Sequence, residues 1–128
     1  MAGETILIVD DNAANLKLAR ILLQGEGYQV RTAADAEEAL RVLETFTPRL
    51  ILMDIQLPGM DGLELTRRLK ADLATRDIVI LALTAYAMKG DEEKARAAGC
   101  DGYIAKPIDV DSLPGVIAAE LIARPVTP

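Results

Sequence analysis

Histidine is missing altogether from this 128-residue chain, and with it go the usual general base and the usual zinc ligand. Any chemistry must rest on carboxylates, hydroxyls and lysine. Cys100 is the only cysteine, which excludes an intramolecular disulfide and a thiolate metal cluster and leaves it most simply a small core residue. Aromatic residues make up 3% of a chain that is 51% hydrophobic, so the core must be aliphatic, built from Leu, Ile, Val and Ala. No concentrated Lys/Arg surface is visible and the net charge is -6, which argues against direct contact with nucleic acid. No apolar run reaches membrane-spanning length, and the opening Met1-Ala2-Gly3-Glu4-Thr5 lacks the layout of a signal peptide. The expected setting is a reducing cytoplasm, with no membrane attachment.

What the chain does contain is a repeated grammar: a short apolar run that stops at a polar residue. Ile6-Leu7-Ile8-Val9 ends at Asp10-Asp11-Asn12, Leu50-Ile51-Leu52-Met53 ends at Asp54, Ile78 to Leu83 ends at Thr84, and Tyr103-Ile104-Ala105 ends at Lys106-Pro107. Each run reads as a strand, and the alternating Tyr28 to Thr32 adds an edge strand with one wet face. Between them lie helical stretches: Ala13 to Gln24 with Asn12 as cap, Ala34 to Phe46, Leu63 to Ala71, and Met88 to Ala98 stopped by Gly99. Pro114 is tolerated only in a first turn, so the last helix starts from a cap at Asp111 or Ser112 and runs to about Ala123. Strict alternation of strands and helices selects an α/β fold with a parallel sheet. The length fits one domain over residues 1–128, with a core at 5–123 and a polar tail at 124–128.

In such a sheet the carboxyl ends of the strands form the rim where sites are built. Asp10, Asp11, Asp54, Thr84 and Lys106 all fall there if their strands are neighbours. Each has a plain alternative: Asp54 starts a turn, the Asp pair caps a helix, Thr84 is a satisfied turn residue, Lys106 is surface. Three crowded carboxylates repel one another unless a cation sits among them, and Mg²⁺ is the hard, oxygen-seeking candidate. Asp54 is then a nucleophile for phosphorus, with Thr84 and Lys106 to neutralise phosphoryl oxygens.

Over essentially its whole length the sequence resembles the receiver domain of two-component response regulators. The resemblance is carried by Ile6 to Asn12, by Met53-Asp54-Ile55-Gln56-Leu57-Pro58-Gly59-Met60-Asp61-Gly62, by Leu83-Thr84-Ala85 and by Gly99 to Pro107. The run Ala82 to Asp91 looks most like single-domain cell-cycle receivers of the DivK type and receivers of hybrid kinases. This resemblance implies a flavodoxin-like, doubly wound, five-stranded parallel sheet of order 2-1-3-4-5 with five helices, an order that the handedness rules alone do not supply. It implies that Asp54 accepts a phosphoryl group from a phosphohistidine on a histidine kinase or histidine phosphotransfer protein. It implies that Asp11, Asp54 and the backbone carbonyl of Gln56 ligate Mg²⁺, with Asp10 reaching it mainly through water. Thr84 and Tyr103 would be switch residues that alter the face read by a downstream effector protein, and the Lys106–Pro107 peptide looks like the family's cis bond. Homodimer formation is left open, and beyond slow loss of its own acyl phosphate no enzyme activity is expected.

Two departures bear on function. Pro114 and Gly115 open the last helix, and Tyr86, two residues after Thr84, is placed to shield an acyl phosphate from water. Two other readings compete. A Mg²⁺-dependent phosphatase with an aspartate nucleophile would want a second acid two residues after Asp54, where Gln56 stands. A docking module independent of phosphorylation would have lost an acid, the threonine or the lysine, and none is lost.

Overall fold

The computed structural model describes residues 3–84, 90–106 and 108–123. Ten elements alternate: β1 (Thr5–Val9), α1 (Ala13–Gly25), β2 (Gln29–Ala33), α2 (Ala36–Leu43), β3 (Leu50–Asp54), α3 (Gly62–Ala71), β4 (Val79–Thr84), α4 (Asp91–Ala98), β5 (Gly102–Ala105) and α5 (Leu113–Ala123). The strands form one parallel sheet ordered β2-β1-β3-β4-β5, as the resemblance implied.

The continuous apolar runs explain the layering. Leu7, Val9, Ile51, Met53, Ile80 and Ala82 point to one face, where they pack with Ala36 and Ala39 of α2 and Leu65 and Leu69 of α3. Their alternates Ile6, Ile8, Leu50, Leu52, Leu81 and Leu83 point to the other, against Ala19 and Leu23 of α1 and Leu113, Ile117 and Leu121 of α5. A strand buried on both faces cannot afford polar positions, so β3 and β4 are closed along their whole length and chemistry is pushed to their ends.

Helix starts follow local hydrogen bonding. Asn12, Asp35 and Asp61 each accept the N–H three residues on, from Asn15, Glu38 and Glu64 at 3.0, 2.8 and 2.8 Å. This shortens α2 relative to the expected Ala34 to Phe46: Asp35 is the cap rather than part of the helix. At the other end the chain leaves the helix ahead of Pro48, with Phe46 folded back against the core and the Arg31 guanidinium 5.2 Å from its ring centroid. Pro114 sits in the first turn of α5, as its missing N–H requires. Met88, Tyr86 and Pro107, and with them the expected start of α4, the shielding role and the cis peptide, lie outside the described residues, as does the tail 124–128.

Candidate functional site

Register gathers the strand ends. Val9 pairs with Met53 and Asp54 with Leu83, so Asp10 lies beside Asp54 and Thr84 one step past it on β4. Lys106 follows β5, and its backbone N–H donates to the Thr84 carbonyl at 2.7 Å. Asp10, Asp54 and Thr84 are all buried, while Asp11 faces solvent.

Carboxylate oxygens of Asp10, Asp11 and Asp54 lie within 4.8 Å of one another. The Lys106 ammonium is inserted between two of them, 3.0 Å from Asp10 Oδ2 and 2.9 Å from Asp54 Oδ2. Three acids against one ammonium leave the cluster negative, and hard oxygen donors at this spacing suit a small divalent cation. Each buried acid is also aimed by a backbone N–H two residues on: Asn12 donates to Asp10 Oδ1 and Gln56 to Asp54 Oδ1, both at 2.9 Å. Asp54 therefore does begin a turn. The plain reading and the functional one are the same geometry, because the turn's hydrogen bond orients the carboxylate.

Burial pushes the Asp54 carboxyl above its ordinary range, and the Asp10 charge adds to this. The bonds from Lys106 and the Gln56 N–H pull the other way without cancelling it. For Lys106 burial works against the charge, but hydrogen bonds to Asp54 and Asp10 outweigh it and hold the ammonium above its usual value. A lysine this firmly protonated acts as a fixed positive charge rather than as a base.

Tyr103 does not stand free on its edge strand. It is half-buried, paired in register with Ala82 and packed against the cluster formed with α2 and α3. The Gln56 side chain is exposed, and only its backbone N–H is engaged with Asp54. Two contributors were not anticipated. Asn15 in α1 reaches Asp10 Oδ2 at 3.4 Å, a contact whose only trace in the sequence is an amide one turn into the helix. Gly62 opens α3 directly on the backbone of Asp54, where any Cβ would overlap the Asp54 carbonyl. A glycine so soon after Pro58 and Gly59 signals a turn, whereas the packing requirement has no trace in the sequence.

A family model for the response regulator receiver domain matches residues 6–118. The chain belongs to that family. As a receiver it is 49% identical to the polar-differentiation response regulator DivK of Brucella anthropi over 107 residues, 84% of this chain and 87% of that one. Among solved structures, a CheY-like receiver domain protein of Methanospirillum hungatei superposes with a TM-score of 0.88 at 34% identity, covering 96% of this chain and 97% of the other. The receiver domain of a sensor histidine kinase from Pseudomonas aeruginosa gives 0.83 at 38% identity, covering 92% and 97%; that structure carries a magnesium ion in its active-site cleft. The sequence thus specifies a receiver of two-component signalling, with a DivK-like relative and CheY-like neighbours.

Proposed function

We propose that this receiver takes a phosphoryl group onto Asp54 and signals by the change of surface that follows. The observation that carries this is the Lys106 ammonium shared between Asp54 and Asp10 within a buried acid cluster. Asp54 ends the central strand β3, which is buried along its whole length, and its carboxylate is oriented by the Gln56 N–H and by Lys106. In the transfer, an Asp54 oxygen forms a bond to phosphorus as the bond from phosphorus to the donor's imidazole nitrogen breaks, leaving an acyl phosphate here and a free imidazole there. The Lys106 ammonium neutralises charge on the phosphoryl oxygens and the Thr84 hydroxyl takes another of them. Asp11, Asp54 and the Gln56 carbonyl, with Asp10 through water, would hold Mg²⁺, which when bound supplies charge neutralisation for the same group. The donor set of three close carboxylates fits that ion.

Thr84 and Tyr103, on paired strands, are the residues through which we expect the state of Asp54 to reach the outer face of β5. The partners inferred are a histidine kinase or phosphotransfer protein as donor and an effector protein as reader, acting in the cytoplasm. No helix among the described residues is long and apolar enough to cross a membrane. Apart from assisting its own phosphorylation and slow dephosphorylation, the chain is inferred to have no enzyme activity.

The direct test is incubation with acetyl phosphate and Mg²⁺ followed by intact mass. The wild-type chain should gain one phosphoryl group, and Asp54→Ala none. Equal labelling of both would refute the assignment.

A further inference from the structure

A second lysine–aspartate pair lies at the opposite end of the sheet. Lys70, in the last turn of α3, places its ammonium 2.9 Å from Asp101 Oδ2, 2.7 Å from the Ile78 carbonyl and 3.1 Å from the Arg76 carbonyl. All three donors are used, and the side chains of Lys70 and Asp101 are only 20% and 19% exposed. Asp101 in turn holds both backbone groups of Ile80: its N–H donates to the Ile80 carbonyl at 2.7 Å and its Oδ2 accepts the Ile80 N–H at 2.9 Å. The chain closes tightly over the lysine. Gly99 ends α4 at φ 107°, and a Cβ there would come within 2.8 Å of Lys70 Cγ, so both the backbone angle and the space demand glycine.

The need for such a pin is visible in β5. It has four residues, pairs on one side only, and is half-exposed along most of its length. Yet it carries Lys106, whose ammonium must meet two carboxylates at 2.9 and 3.0 Å. A strand advances about 3.3 Å per residue, so a slip of one residue exceeds those contact distances and turns every side chain to the wrong face. We propose that Lys70, acting through Asp101, is a positioning residue that fixes β5 in the register placing Lys106 between Asp10 and Asp54. This rests on the phosphoryl-acceptor reading of the rim. α3 joins the two ends, starting against the Asp54 backbone at Gly62 and finishing at the pin.

The experiment compares the wild-type chain with Lys70→Met, Lys70→Arg and Asp101→Asn, by amide hydrogen exchange and by the rate of phosphoryl uptake from acetyl phosphate across a Mg²⁺ series. In Lys70→Met the amides of Tyr103 to Ala105 should exchange at least about tenfold faster, with those of β1 and β3 within about twofold of wild type. Uptake should slow about tenfold while the Mg²⁺ concentration for half-maximal rate does not rise, because the acids sit on β1 and β3 and a displaced Lys106 competes less with the ion. Lys70→Arg, which keeps the charge, should recover most of the rate, and Asp101→Asn should behave like Lys70→Met. Unchanged β5 exchange, uptake within about twofold of wild type, or a half-maximal Mg²⁺ concentration that rises in step with the loss each overturns the proposal. A wild-type chain that takes up no phosphoryl group overturns the Asp54 assignment instead, and the exchange data then decide the register claim alone.

Discussion

The two ends of this sheet are built from the same pair of residue types and put them to opposite uses. At the lower end, Lys70 meets one carboxylate and two carbonyls, so every donor has one acceptor and the group is closed. At the rim, Lys106 meets two carboxylates with a third acid close by, so acceptor capacity and negative charge are left over. A lysine saturated by backbone acts as a fastener, whereas one outnumbered by acids marks a place for a further cation and an incoming anion. The sharpest way to break this contrast is Lys106→Met. Phosphoryl uptake should fall by about 100-fold, as expected when a preorganised charge is removed from the transition state. Mg²⁺ should at the same time bind more tightly, by about threefold or more, because a competing positive charge has gone. A substitution that merely disordered the rim would weaken both. Isothermal titration with Mg²⁺ beside the uptake rate separates the cases, and weaker Mg²⁺ binding would count against the reading.

A smaller effect is expected from opening the closed end. Asp101→Ala leaves the Lys70 ammonium partly buried without its carboxylate, which should lower stability by about 2 kcal/mol in urea titrations, somewhat below the value for fully buried pairs. Arg67→Ala gives the scale: the Arg67–Glu64 pair on α3 is 55% and 46% exposed, and its loss should stay within about 0.5 kcal/mol. If the two substitutions cost the same, the lower pair is not the fastener its hydrogen bonds suggest.

How much of this could be read without coordinates differs between the same two ends. The rim was legible because each member ends an apolar run, a local signal that Asp10, Asp54, Thr84 and Lys106 all share and that parallel pairing turns into proximity. Asp101 follows no such run, and Lys70 looks like one more cation on a charged helix, so the contact across 31 residues has no local signature. Helix boundaries failed for a related reason. Asp35 has the propensity to sit in or before a helix, and only its bond to the Glu38 N–H decides for the cap. In α1 the residues Leu16, Leu18, Ala19, Ile21, Leu22 and Leu23 outnumber the positions of one core stripe, and the sequence does not say which of them reach solvent: Leu18 and Ile21 are 40% and 55% exposed, while Ala19 and Leu23 are buried. The face α1 turns to the sheet is a matter of helix phase, fixed by packing rather than by composition.

The smallest effect concerns Cys100, which sits beside Asp101 in the closed end with its sulfur 3.8 Å from Thr66 Oγ1. Burial pushes its thiol above the ordinary 9.0; the Thr66 hydroxyl opposes this, the Asp101 charge adds to it, and the Lys70 charge opposes it. The folded chain therefore keeps a proton that the unfolded chain releases from about pH 9.0 upward. More protons bound in the native state means that stability falls as pH rises through this window and is fully present below it. The loss attributable to this one thiol should reach at most about 0.8 kcal/mol at pH 9.5, and Cys100→Ala should flatten the decline between pH 8 and 9.5 by that amount. Tyr28, also raised by burial from its ordinary 10.0, contributes in the same direction only at higher pH and equally in both chains. Because the thiol belongs to the closed end, Mg²⁺ should leave the difference between the two slopes unchanged while stabilising both chains. A slope difference that disappears on adding Mg²⁺ would mean that the two ends are not energetically separate, and that the rim's charge is felt at the far end of α3.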